Sequence, residues 1–198
     1  KVALAQLGED VIALLDHLNI DKALFCGISM GGLTGLWLAR FAPERFYAVA
    51  VANTAARIGD QSGWLSRARA VRQEGMDVVA AGAADRWFSD AFRQRAPEVV
   101  EALCHQLTHS DAEGYAACCE ALAAADLRGE VGQIAIPVLI IAGESDPVTT
   151  VADANFLHQQ IATSQVVVLK ASHLSNIEAP AAFNAALNGF LLGEQNGR

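Results

Sequence analysis

Residues 24–40 read LFCGISMGGLTGLWLAR. An apolar run enters a knot of glycines around Ser29 and leaves as a second apolar run of helical character. Gly27-Ile28-Ser29-Met30-Gly31 matches G-x-S-x-G between an expected strand and an expected helix. In that setting the pattern marks a sharp strand-to-helix turn that lifts a nucleophilic serine clear of a sheet. Bulky side chains at the flanking positions would collide with the backbone of so tight a turn, hence Gly27 and Gly31. The following helix points its N-terminus at the space above Ser29, and the Met30 N–H would donate to a developing oxyanion there. The stretch GISMGG lacks the G-x-G-x-x-G spacing of a dinucleotide loop, and no acidic residue ends the next strand. A plain structural turn stays open until partners for Ser29 are found.

A serine hydroxyl is a poor nucleophile until a base takes its proton, and an acid must hold that base in the right tautomer. With an elbow of this kind the chain order is serine, acid, histidine. AGESDPVTT (142–150) puts Asp146 just beyond an apolar run, at the strand end where ligands gather in open sheets. KASHLSNIEAP (170–180) puts His173 after the last such run. Asp146 has a turn or helix-cap role as its structural alternative, and Glu144 competes for the acid. His17, His105, His109 and His158 follow no strand, so His173 is the expected base.

The rest of the chain alternates strand with helix. Residues 1–20 place Leu7, Val11, Leu14, Leu15 and Leu18 on one helical stripe. Residues 21–28 form a short strand whose lack of alternation predicts burial on both faces. A helix runs from about Gly32 to Arg40 and is stopped by Pro43. Further strands are expected at 46–54, 136–145 and 164–172, with helices at 151–161 and 179–193. This rhythm predicts an α/β chain with a parallel sheet. Residues 56–132 break it with amphipathic helices at Gln61–Glu74, Met76–Phe88, Pro97–Leu107 and Asp111–Leu122. The expected organisation is a core of 1–55 and 133–198 with a helical cap, 56–132, laid over the sheet's edge. Lys1 falls in or beside a helix with no methionine and no strand before it. A sheet that starts at its elbow strand would leave an apolar edge unpaired, so the chain is expected to be the C-terminal part of a longer protein.

Of the 198 residues 53% are hydrophobic and 18% charged, with a formal net charge of −8. That balance excludes a disordered chain and argues against nucleic acid or an anionic membrane as partner. No run approaches a membrane span. Cys118 and Cys119 are adjacent in an expected helix and Cys26 lies in a strand, so with Cys104 they are expected to be reduced thiols in a cytoplasmic protein. His105 and His109 share a helical face, but the Glu of a zinc-protease helix is missing and a third ligand is not evident, so no metal is expected.

With its elbow, acid and histidine in order, the chain resembles the α/β-hydrolase fold, and within it the 3-oxoadipate enol-lactonases. DRWFSDAFR (85–93), residues 114–150 and residues 171–191 carry the resemblance. It implies a mostly parallel sheet with an inserted helical cap, a Ser29–Asp146–His173 triad and no cofactor. It further implies that the first half of the fold, with a loop giving a second oxyanion donor, is absent from this chain. One such donor is typically worth roughly 3–4 kcal/mol of transition-state stabilisation. The implied activity opens a small-molecule lactone that carries a carboxylate. Trp87 is the candidate apolar wall and Arg86 the candidate carboxylate partner, with cap packing and a solvated helix face as their structural alternatives. Carboxylesterases, perhydrolases or cofactor-free haloperoxidases, C–C bond hydrolases and non-catalytic ligand-binding members stay open as alternatives. Oligomeric state is not legible.

Overall fold

The computed structural model describes residues 2–196; Lys1 lies outside them. Among the described residues four parallel strands stand in chain order: β1 (Ala23–Ile28), β2 (Phe46–Ala52), β3 (Val138–Gly143) and β4 (Ser164–Leu169). Helix α1 (Leu4–His17) precedes β1, and α2 (Met30–Phe41) links β1 to β2. Between β2 and β3 come α3 (Gln61–Glu74), α4 (Asp77–Ala80), α5 (Ala83–Trp87), α6 (Asp90–Arg95), α7 (Pro97–Thr108) and α8 (Ala112–Ala124). Helix α9 (Val151–Gln160) joins β3 to β4, and α10 (Ser175–Glu178) and α11 (Pro180–Asn196) follow β4.

The central strands are apolar without interruption because both faces are covered. Val49, Val51, Val138 and Ile140 face Leu33, Leu36, Ala39 and Leu157 from α2 and α9. The opposite face presents Ala48, Ala50, Ala52, Leu139 and Ile141 to Phe183 and Phe190 of α11. Three alanines on β2 leave room for those rings on that face. Trp37 of α2 seats so closely on α1 that a Cβ at Gly8 would sit 2.1 Å from its ring.

Several expectations need correcting. The core face of α1 is Leu4, Gly8 and Leu15, with Val11 and Ile12 half-buried. Leu14 and Leu18 are 56% and 53% exposed, because the stripe chosen from the sequence runs off the line that faces α2. Strand β1 is half-buried rather than covered on both faces, and Cys26 is exposed, since among the described residues β1 pairs only with β2 at the sheet's edge. Helix α2 begins at Met30, and the helix expected at Met76–Phe88 is two short ones, α4 and α5, broken at Ala81–Gly82. A separate helix, α6, follows Ser89, whose hydroxyl accepts from the Phe92 amide. Where the helical insert leaves and rejoins the sheet, its ends are tied by the Leu127 amide donating to the Ala56 carbonyl at 2.8 Å.

Candidate active site

Ser29 sits at φ 55°, ψ −115°, between the last residue of β1 and the first of α2. A left-handed φ is strained for a non-glycine residue and persists only where its surroundings hold it. Here the Ser29 N–H donates to the Ala52 carbonyl at 2.9 Å, and the Ser29 carbonyl accepts from the Thr54 hydroxyl at 2.8 Å and the Leu33 amide at 3.0 Å. A Cβ at Gly27 would lie 2.2 Å from the Gly31 carbonyl oxygen, so Gly27 is obligatory for the turn. Gly31 is not: a Cβ there meets nothing within 4 Å, which corrects the symmetrical reading of the motif. Gly32 is the second tight position, with its added Cβ 2.7 Å from the Thr54 Cβ.

Asp146 lies on the turn after β3 and His173 on the turn after β4, both buried. A Cβ at Gly143 would come within 2.3 Å of the Ser172 carbonyl, so glycine lets these two turns close on each other. Asp146 Oδ1 accepts from the Val148 and Thr149 amides at 2.8 and 3.1 Å, which is the turn role. Its Oδ2 accepts from the Thr149 hydroxyl at 2.9 Å and stands 2.8 Å from His173 Nδ1. Asp146 therefore braces its own turn through both oxygens while Oδ2 also meets the imidazole. Glu144 is exposed and takes no part. His173 Nε2 lies 3.0 Å from Ser29 Oγ. Burial pushes the Asp146 carboxyl upward, yet the hydrogen bond and charge of His173, with bonds from Asn53 and Thr149, outweigh it and hold the pKa below the usual carboxylate range. An ionised Asp146 fixes the imidazole with its proton on Nδ1 and its lone pair toward Ser29, the arrangement a general base needs.

Asn53 is the residue that sequence reasoning missed. It is buried at φ 48° just past β2. Its Nδ2 donates to Asp146 Oδ2 at 3.0 Å and the Ser172 carbonyl at 3.1 Å, while its Oδ1 accepts from the Ser175 hydroxyl at 2.6 Å. One amide thus ties the acid to both sides of the histidine. The available signal was a polar residue ending a buried apolar strand, in register with Ser29 and the end of β3.

Above Ser29, Met30 and His173 opens a cavity of about 780 Å³, within the roughly 300–1,000 Å³ typical of small-molecule sites. Met30 is the first residue of α2, and its amide belongs to the turn whose N–H groups have no intrahelical partner. The cavity's roof comes from α3, α5 and α8, through Trp64, Arg67, Trp87 and Tyr115. Trp87 lines the cavity and also packs against the Phe88–Phe92 cluster. Arg86 is half-buried rather than on a solvated face, and it lines the cavity while Nη2 donates to the Val79 carbonyl at 2.9 Å. Burial and the neighbouring Arg67 charge pull its pKa down. Arg67, also unpredicted, stacks 4.9 Å over the Trp64 ring and lines the same cavity. It is a second cation beside Arg86. Burial raises the pKa of the Tyr115 hydroxyl, which Arg67 faces, and that of Cys119 to about 11, so both stay neutral.

The four cysteines are free thiols. His105 and His109 are exposed with rings 4.4 Å apart, and among the described residues no group of three or more His, Cys, Asp or Glu could hold a metal ion. No helix among the described residues is long and apolar enough to cross a membrane.

The family model described as alpha/beta hydrolase fold matches residues 2–180. The chain is 58% identical to 3-oxoadipate enol-lactonase 2 of Acinetobacter baylyi, over 94% of this chain and 70% of that protein. It is 49% identical to 3-oxoadipate enol-lactonase 1 of the same organism, over 96% of this chain and 72% of that protein. Among solved structures it superposes on the enol-lactonase from Burkholderia xenovorans LB400 with a TM-score of 0.94 and 44% identity, covering 96% of this chain and 74% of that one.

Proposed function

This chain belongs to the alpha/beta hydrolase fold family, and on that premise we propose that it opens 3-oxoadipate enol-lactone to 3-oxoadipate. Ser29 is the nucleophile, His173 the general base and Asp146 the group that orients it. The observation that carries this reading is the run of two short contacts, Asp146 Oδ2 to His173 Nδ1 at 2.8 Å and His173 Nε2 to Ser29 Oγ at 3.0 Å, at the floor of a cavity that holds two arginines. The identities of 58%, 49% and 44% to enol-lactonases support the substrate.

The Ser29 Oγ–H gives its proton to His173 Nε2 as Oγ bonds to the lactone carbonyl carbon. Negative charge on the carbonyl oxygen is met by the Met30 N–H at the start of α2. The ring C–O bond then breaks, and the departing enol oxygen takes the proton from His173. The released enol tautomerises to the ketone while its acyl carbon stays on Ser29. Water attacks that ester, again losing a proton to His173 Nε2, and the acid leaves with Ser29 restored. The substrate's carboxylate is received by Arg67 and Arg86 against the wall made by Trp87. Paired cations have a reason to be here, because the protein carries a formal net charge of −8 and an anion needs a local basic group. In this reading 56–132 is the cap and 1–55 with 133–198 the core, and no cofactor takes part. Free thiols suit a reducing compartment, and we place the reaction in the cytoplasm.

The test is turnover of 3-oxoadipate enol-lactone, followed by its ultraviolet absorbance. Ser29→Ala is expected to lower kcat by about 10⁶-fold. Absence of turnover by the folded full-length protein would sink the substrate assignment.

A further inference from the structure

Glu178 is a carboxylate only 8% exposed, on the short helix that follows His173. Its Oε1 accepts from the Ser89 amide at 2.9 Å and its Oε2 from the Ser89 hydroxyl at 2.8 Å. Ser89 is the joint between α5 and α6, just beyond Trp87. Alongside, the Leu174 amide donates to the Trp87 carbonyl at 3.0 Å, and Arg95 Nη2 reaches the Glu178 carbonyl at 3.4 Å. Leu174 and Ile177 pack into the Phe88–Phe92–Val100 cluster. Apolar contact alone would join these surfaces, and a buried carboxylate costs more than an apolar side chain unless its oxygens are satisfied. Two directed bonds to one residue add what apolar contact lacks: a fixed distance and direction.

The histidine is held from the other side. Asn53 binds the Ser172 carbonyl and the Ser175 hydroxyl, and Asp146 binds the ring, so His173 is fixed to the sheet without Glu178. The connections run in series: β2 through Asn53 to the His173 segment, then through Glu178 and Ser89 to the cavity wall. We infer that Glu178 is a positioning residue for substrate binding, setting the place of Trp87 relative to His173. Asn53 acts on the reacting groups, whereas Glu178 acts on the wall that the substrate leans against. The inference rests on the triad reading, and the lactone reading supplies only one of the two substrates in its test.

Steady-state kinetics on the enol-lactone and on p-nitrophenyl butyrate separate the cases. Glu178→Ala is expected to raise KM about tenfold on removing two hydrogen bonds, with kcat within about threefold of wild type. Glu178→Gln can still accept from the Ser89 amide and donate to its hydroxyl oxygen, and is expected to restore KM to within about threefold. Trp87→Ala raises KM by itself, and adding Glu178→Ala to it is expected to raise KM little further, because the two changes act through one wall. Should Glu178→Ala fail to fold, Ser89→Ala removes one of the bonds, with an expected rise of about threefold. Lactone turnover absent from the full-length wild type would overturn the substrate reading while leaving the KM split readable on the p-nitrophenyl ester. A fall in kcat at constant KM, a lower melting temperature with unchanged kinetics, or additive effects of Glu178→Ala and Trp87→Ala would each overturn the role given to Glu178.

Discussion

The sheet edge and the helical insert above it meet at one cavity but are built in opposite ways. At the edge, Ser29, Asn53, Asp146 and His173 lie on four adjacent strand ends and every polar group is tied to another. Strain at Ser29 and Asn53, at φ 55° and 48°, is tolerated because those bonds over-determine the backbone. The insert packs long and short helices around small apolar clusters, and it offers the cavity aromatic faces and two cations. Bond breaking is assigned to the rigid edge and choice of substrate to the insert. Changes at the edge should therefore cost rate on every substrate, and changes in the insert should cost affinity, for one substrate class alone where a cation is lost.

The largest effect that sharpens this contrast is at the acid. Asp146→Asn keeps the shape but favours the wrong imidazole tautomer, and kcat should fall by about 10⁴-fold on charged and neutral esters alike, measured by initial rates. Next come the cations. Arg67→Met and Arg86→Met should each raise KM for the carboxylate-bearing lactone by about 10–100-fold, the range of a hydrogen bond to a charged group. KM for a neutral p-nitrophenyl ester should move less than about threefold. Equal losses on both substrates would break the division.

Two glycines of the elbow give a smaller pair. Gly27→Ala would force a Cβ into the Gly31 carbonyl and should cost about 1–3 kcal/mol in urea unfolding. Gly31→Ala has open space and a helical backbone, so its stability should match wild type or exceed it by up to about 1 kcal/mol. The smallest effect is the acid dependence of stability. The pKa of Asp146 is lower folded than unfolded, so on acidification the unfolded chain takes up that proton first. Its contribution is complete above about pH 4 and is lost as pH falls toward the depressed folded value. Urea midpoints at pH 6 and pH 3 should therefore fall more steeply for wild type than for Asp146→Asn.

The same contrast explains what the sequence made legible. Ser29, Asp146 and His173 could be found because each ends an uninterrupted apolar run, and a parallel sheet carries such ends to one edge. Asn53 ends such a run too, but nothing local shows that its amide bridges two distant turns. In the insert the signal is weaker. Helical periodicity placed α3, α7 and α8, yet the break at Ala81–Gly82 and the separate α6 depend on how Arg86 and Ser89 pack. Arg67 looks like any solvated arginine on an amphipathic helix until Trp64 and Tyr115 are placed beside it. On α1, periodicity gave a stripe but not the neighbour, and only Trp37 against Gly8 decides which leucines are inside.

The most direct single measurement is covalent labelling by a fluorophosphonate, followed by mass spectrometry of the peptide that contains Ser29. One phosphonyl group should attach at Ser29. Labelling should vanish in Ser29→Ala, slow by orders of magnitude in Asp146→Asn, and stay within about threefold of wild type in Arg67→Met and Arg86→Met. No label on folded protein, label at another residue, or rates that track the arginines instead of Asp146 would contradict the assignment of chemistry to the sheet edge.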